Sequence, residues 1–113
     1  MIVLETSGLN EKIVPAGIKE TLYRIAQEQL NNINKYAKAK EVLIRTTTCD
    51  NFVTMLVSDN GVGFNTVSRK DGIGLVNIKN RSESYNGSAD IVSSPGKGCS
   101  LTVKIPLHGP QVI

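Results

Sequence analysis

Twice along the chain, a segment with helical spacing of apolar residues is followed by a pair of strand-forming runs, and this order constrains the fold more than any other feature. From Ile18 the apolar residues Ile18, Leu22, Ile25, Ala26, Ile33 and Ala37 recur as on one face of a helix of about five turns at ~3.6 residues per turn. Pro15 stands just ahead of it, where a helix start tolerates proline. "EVLIRTTTCDNFVTMLVSD" then reads as a hairpin joined at Cys49, Asp50 and Asn51. After a glycine-bearing loop, "NGVGFNTVSRKDG", the segment "IGLVNIKNRSESY" predicts a second, shorter helix stopped by Asn86 and Gly87. "ADIVSSPGKGCSLTVKIPL" is a second hairpin, turning at Pro95-Gly96-Lys97-Gly98. With a short strand at Ile2 to Leu4, followed by polar turn residues, the order is β-α-β-β-α-β-β. Both helices can then cover one face of a mixed, mostly antiparallel sheet, which is a two-layer α/β sandwich.

The 113 residues, 40% hydrophobic and 20% charged, suffice for one domain around one core. That domain is expected over 1–113, with its core over about 2–107 and a loose tail at 108–113. No apolar run approaches the ~18 residues of a membrane span, and nothing resembles a signal peptide, so a soluble, cytoplasmic fragment without membrane contact is expected. Cys49 and Cys99 have no companions at metal-ligand spacing and read as reduced structural thiols. The net charge of +3 is spread along the chain and only five aromatic residues (three Tyr, two Phe) are available for stacking, which argues against a nucleic-acid surface.

Chemistry enters with "EQLNNINKYAKA", residues 28–39, which puts three asparagines into four helical positions. Asn is a poor helix former, so an amide there asks for another reason. On a wheel advancing about 100° per residue with Glu28 at zero, Asn32 falls near 40° and Lys35 near −20°. The apolar residues fill the neighbouring arc from about 60° to 180°, so this carboxylate, amide and ammonium run along the edge of the core, while Asn31 and Asn34 point to solvent. An amide oxygen suits Mg²⁺ when waters and phosphates supply its other ligands. The plainer reading is a solvated helix face.

Alternation in "FVTMLVSD" places Val53, Met55, Val57 and Asp59 on one face of a strand. A carboxylate at the rim of the core needs hydrogen-bond donors. Asn60-Gly61-Val62-Gly63 follow, and the glycines let a flat ligand approach, so a base with an exocyclic amine, such as adenine, would answer Asp59. The competing reading is a local turn capped by Asp59. In "DGIGLVNIKNR", Gly72 and Gly74 precede a helix whose first N–H groups favour a phosphate. Neither glycine cluster completes the dinucleotide fingerprint, and no P-loop exists, so a nucleotide site here is of another kind.

Taken in order, Glu28-x-x-x-Asn32-x-x-Lys35-Tyr36-Ala37, Asp59-Asn60-Gly61-Val62-Gly63-Phe64, Gly72-Ile73-Gly74-Leu75-Val76-Asn77 and Ser94-Pro95-Gly96-Lys97-Gly98 resemble the catalytic ATP-binding domain of sensor histidine kinases. That domain belongs to the GHKL superfamily, with gyrase-type topoisomerases, large heat-shock chaperones and mismatch-repair ATPases. The resemblance implies a Bergerat-type α/β sandwich binding ATP. It implies Asn32 as Mg²⁺ ligand, Asp59 as acceptor of the adenine amine, Gly61 and Gly63 as the floor of the base pocket, and Gly72, Gly74 and Leu75 on the phosphate side. Lys35 is expected near the phosphates, and Glu28 as the acid that acts on the attacking nucleophile or helps position Mg²⁺.

The eight-residue lid "FNTVSRKD", with Arg69 and Lys70, is short, as in kinases that often serve response regulators with helix-turn-helix outputs. Two positions depart from the pattern: Tyr36 stands where His is usual in contact with ATP, and Cys99 where Thr or Ser is usual near the base. Nothing matches the phosphoacceptor histidine, and His108 reads as a surface residue. The resemblance therefore implies a monomeric fragment whose partners are its own dimerisation and phosphoacceptor helices and a cognate response regulator, in a parent that is cytoplasmic or a membrane-anchored sensor. The isolated fragment is expected to lack autophosphorylation. Alternatives sharing the motifs are an anti-sigma-factor serine kinase and a degenerate nucleotide-binding module.

Overall fold

The computed structural model describes residues 2–34, 39–62, 75–93 and 96–107. Five strands, β1 (Ile2–Gly8), β2 (Val42–Cys49), β3 (Phe52–Asp59), β4 (Ser88–Ser93) and β5 (Cys99–Pro106), form one sheet in the order β1-β2-β3-β5-β4. β1 pairs with β2 in parallel and the other three pairings are antiparallel. Among the described residues two α-helices, α1 (Ala16–Asn32) and α2 (Leu75–Glu83), and a 3-10 turn at Glu11–Ile13 complete the α/β sandwich.

Local chemistry sets the boundaries. β2 and β3 are joined by Asp50 and Asn51 alone, with φ of 52° and 66°, while Cys49 belongs to the strand and pairs with Phe52. Two successive left-handed residues match the twist of a hairpin, and Asp and Asn tolerate that conformation best after Gly. Pro15 precedes α1 with φ −59°, and its carbonyl accepts from the N–H groups of Ile18 and Lys19. α2 ends as its sequence predicts: Asn86 turns left-handed at φ 61°, and the Gly87 N–H returns to the Ser82 carbonyl at 2.8 Å.

One element is longer than its sequence pattern suggests. β1 runs through Glu5, Thr6, Ser7 and Gly8, residues that read as a turn. Pairing with β2 and an Arg45–Glu5 ion pair at 2.7 Å hold this polar half in the sheet. It lies at the edge, exposed along its whole length, so its residues need not alternate.

The core lies between the layers. β3 alternates half-buried and buried residues, and Val53, Met55 and Val57 on its buried side meet Leu101, Val103 and Ile105 of β5. Ile18, Leu22 and Ile25 of α1 and Ile78 of α2 pack over them. At Gly17 the turn that follows α2 comes so close to α1 that a Cβ would strike the Tyr85 hydroxyl. Leu101 has no exposed surface. Leu101→Ala should cost about 2–5 kcal/mol in urea unfolding followed by circular dichroism, with an unchanged denaturant slope.

Candidate functional site

The register of the four antiparallel strands lines up Val42, Asp59, Cys99 and Ser93 side by side at one end of the sheet. Period-two alternation turns the Asp59 and Cys99 side chains to the helix-covered face, because Val53, Met55, Val57 and Leu101, Val103, Ile105 already point there. The row thus continues the core, but beyond Val42 its members are a carboxyl, a thiol and a hydroxyl.

Asp59 is 8% exposed. Its Oδ1 accepts the Gly61 N–H at 2.8 Å, so the local-turn reading holds for one oxygen. Its Oδ2 is buried and has no donor among the described residues. Burial pushes the carboxyl pKa up, and the Gly61 hydrogen bond offsets only part of this. Backbone pins the group on both sides. Asn60 Oδ1 accepts the N–H groups of Lys40 and Glu41, each at 2.9 Å, tying the end of β3 to the start of β2. On the other side the Gly96 N–H donates to the Val62 carbonyl. Gly98 has φ 72°, and a Cβ there would press into the Asp59 carbonyl. Only glycine fits at that approach.

Gln29 of α1 faces this row, and the sequence reading passed over it. It is 3% exposed, and its Nε2 donates to Cys99 Sγ at 3.7 Å. Its Oε1 is buried without a donor among the described residues. The signal was available: on the helical wheel Gln29 lies near 100°, in the middle of the apolar arc. Cys99 itself is buried as expected, and its thiol pKa is raised first by that burial and then by the Asp59 charge.

Glu28 and Asn32 lie on the half-buried edge of α1, and Asn31 and Asn34 are exposed, as the wheel predicts. Glu28 lines a polar hollow with Arg24, Gln27, Leu30, Asn31 and Arg81, which brings two guanidinium groups of α1 and α2 to the carboxylate's side of the helix layer. Leu75 opens α2. Lys35, Tyr36, Gly63, Gly72 and Gly74, the lid with Arg69 and Lys70, and His108 lie outside the described residues. Among the described residues no three His, Cys, Asp or Glu side chains gather as a metal site, and no helix is long and apolar enough to cross a membrane.

A buried carboxylate oxygen without a donor, beside glycines that admit a flat group, suits a base carrying an amine. Residues 17–109 match the family described as histidine kinase-, DNA gyrase B- and HSP90-like ATPases. The chain belongs to this ATPase family. It is 31% identical over 114 aligned positions to an uncharacterized sensor-like histidine kinase of Chloroflexus aurantiacus, covering 95% of this chain and 19% of that protein. It is 33% identical over 101 aligned positions to the sensor protein VraS of Staphylococcus saprophyticus, covering 88% of this chain and 29% of that protein. The chain thus spans 19% to 29% of the length of these relatives. Its fold is that of the histidine kinase domain of a blue-light activated kinase from Erythrobacter litoralis (TM-score 0.77, 17% identity, 94% of this chain and 51% of that one). It is also that of the Acinetobacter baumannii histidine kinase AdeS (TM-score 0.72, 15% identity, 96% of this chain and 55% of that one). As a member of the ATPase family the chain is an ATP-binding domain, and its similarity within the family is to sensor histidine kinases.

The raised Asp59 pKa sets a direction for stability. The folded chain holds this proton more tightly than the unfolded one, so this group's contribution to stability falls as pH rises from its ordinary 3.8 through the raised value. Asp59→Asn keeps an oxygen for the Gly61 N–H and carries no charge. In ligand-free thermal melts it should raise the melting temperature at neutral pH and flatten the pH dependence above pH ~4.

Proposed function

We propose that this chain is the ATP-binding catalytic domain of a two-component sensor histidine kinase, holding Mg-ATP and presenting its γ-phosphate to a histidine on a separate helical domain of the parent protein. The observation that carries this reading is the Asp59 Oδ2, buried at the end of β3 and without a donor among the described residues, at the position the family motif assigns to the adenine amine. The sensor-kinase relatives favour it over the serine-kinase alternative.

In this reading Asp59 accepts from the exocyclic amine, and Gly61 and Gly63 let the base lie close to backbone. Gly72, Gly74 and Leu75 turn the start of α2 toward the phosphates, where free N–H groups offer donors. Lys35 and Tyr36 flank the phosphates and ribose, and Cys99 borders the base. Asn32 would hold Mg²⁺ through its amide oxygen, in a site where phosphate oxygens and waters complete the shell. Bound there, the metal supplies charge neutralisation on the triphosphate. Glu28, one helical turn before Asn32, orients the incoming histidine or helps position the metal. The protein's share in such a transfer is alignment and charge, which rigid secondary structure can provide. A response regulator then takes the phosphoryl group from the histidine.

Thermal-shift titration with ATP and Mg²⁺ tests the site. Binding at a hundredfold excess over Kd should stabilise the fold by about 2.7 kcal/mol. Asp59→Asn should abolish the shift despite its higher starting stability, and Asn32→Ala should remove its dependence on Mg²⁺. When the parent's phosphoacceptor domain is supplied with ATP and Mg²⁺, acid-labile, base-stable phosphate should appear on that domain. Its absence, with ATP binding intact, would overturn the histidine-kinase reading while leaving the nucleotide site standing.

A further inference from the structure

Gln29 comes to the strand row with one end of its amide paired. Its Nε2–H donates to Cys99 Sγ at 3.7 Å. With Nε2 on the sulfur, Oε1 is the other end of the amide. That oxygen and Asp59 Oδ2 are two of the three buried side-chain oxygens or nitrogens without a partner among the described residues. Gln29 contacts Cys99, whose register partner on β3 is Asp59. Two buried acceptors at one end of a core each carry a desolvation penalty unless a donor meets them.

Building on the ATP-site reading, we propose that Gln29 is a second base-reading residue: Gln29 Oε1 and Asp59 Oδ2 together take the two hydrogens of the exocyclic amine of a 6-aminopurine. One amine nitrogen satisfies both acceptors at once. A 6-oxo purine meets both with a carbonyl oxygen, and a purine with hydrogen at position 6 satisfies neither. Gln29 is thus a specificity-determining residue, contributed by the helix layer, beside the strand-borne Asp59. Cys99 is a positioning residue that receives the other end of the amide.

The test is competition binding of ATP, N6-methyl-ATP and purine riboside triphosphate to the wild-type chain and to Gln29→Met, an apolar side chain of similar length. With wild type, N6-methyl-ATP, which retains one amine hydrogen, should bind about three- to tenfold more weakly than ATP, the effect of one buried neutral hydrogen bond. In Gln29→Met the preference for ATP over purine riboside triphosphate should shrink by the same factor, while affinity for purine riboside triphosphate is unchanged. Equal wild-type binding of N6-methyl-ATP and ATP overturns the proposal, and this arm needs no variant to fold. Equal losses for ATP and purine riboside triphosphate in Gln29→Met would assign the residue a packing role and overturn it too. Wild type that binds ATP, loses it in Asp59→Asn and fails either comparison leaves the ATP site intact and removes only Gln29 from it. Wild type that binds no nucleotide overturns both.

Discussion

A carboxylate placed at the last position of a core-facing strand governs this domain. Asp59 belongs by register to the same face as Val53, Met55 and Val57, so it cannot turn to solvent without moving its strand. The sheet fixes it from both sides through Asn60, Gly61 and Gly98, and one oxygen finds the Gly61 N–H. The other has no donor among the described residues. Desolvation of an ionised group is among the larger local costs in a small fold, and the raised pKa is its electrostatic signature. A site that binds by supplying the missing donor recovers that cost only when its ligand is present, which is how stability is exchanged for recognition.

Gln29 extends the same logic to the helix layer. A glutamine in the centre of an apolar arc is unfavourable unless its amide is paired, and here one end is paired and the other has no donor among the described residues. The pairing runs from α1 to Cys99 of β5, so the helix layer and the sheet share a polar contact inside the core.

Much of the fold was legible from periodicity. The helical spacing of Ile18, Leu22 and Ile25, the alternation in β3 and β5, and the stop at Asn86-Gly87 all report which side of an element is buried, and burial is what a sequence pattern records best. The polar half of β1 was not legible, because an exposed edge strand is held by its neighbour's backbone and by pairs such as Arg45 with Glu5. The residues of the site were legible in part. Asp59 and Gly61 stood out as a carboxylate and a glycine after an apolar strand, whereas Gln29 was hidden by the asparagines around it.

By itself, the sequence determined the order of elements, the edge of α1 on which Glu28 and Asn32 lie, and the family to which the four motifs point. Each of these depends on spacing along a single element or on the succession of elements. The tertiary structure decided the row Val42, Asp59, Cys99, Ser93, the arrival of Gln29 on Cys99 from 70 residues away, and which oxygens have no donor among the described residues. Those features depend on strand register and on the seating of one layer on another. A single residue's slip in register would send every one of these side chains to the opposite face.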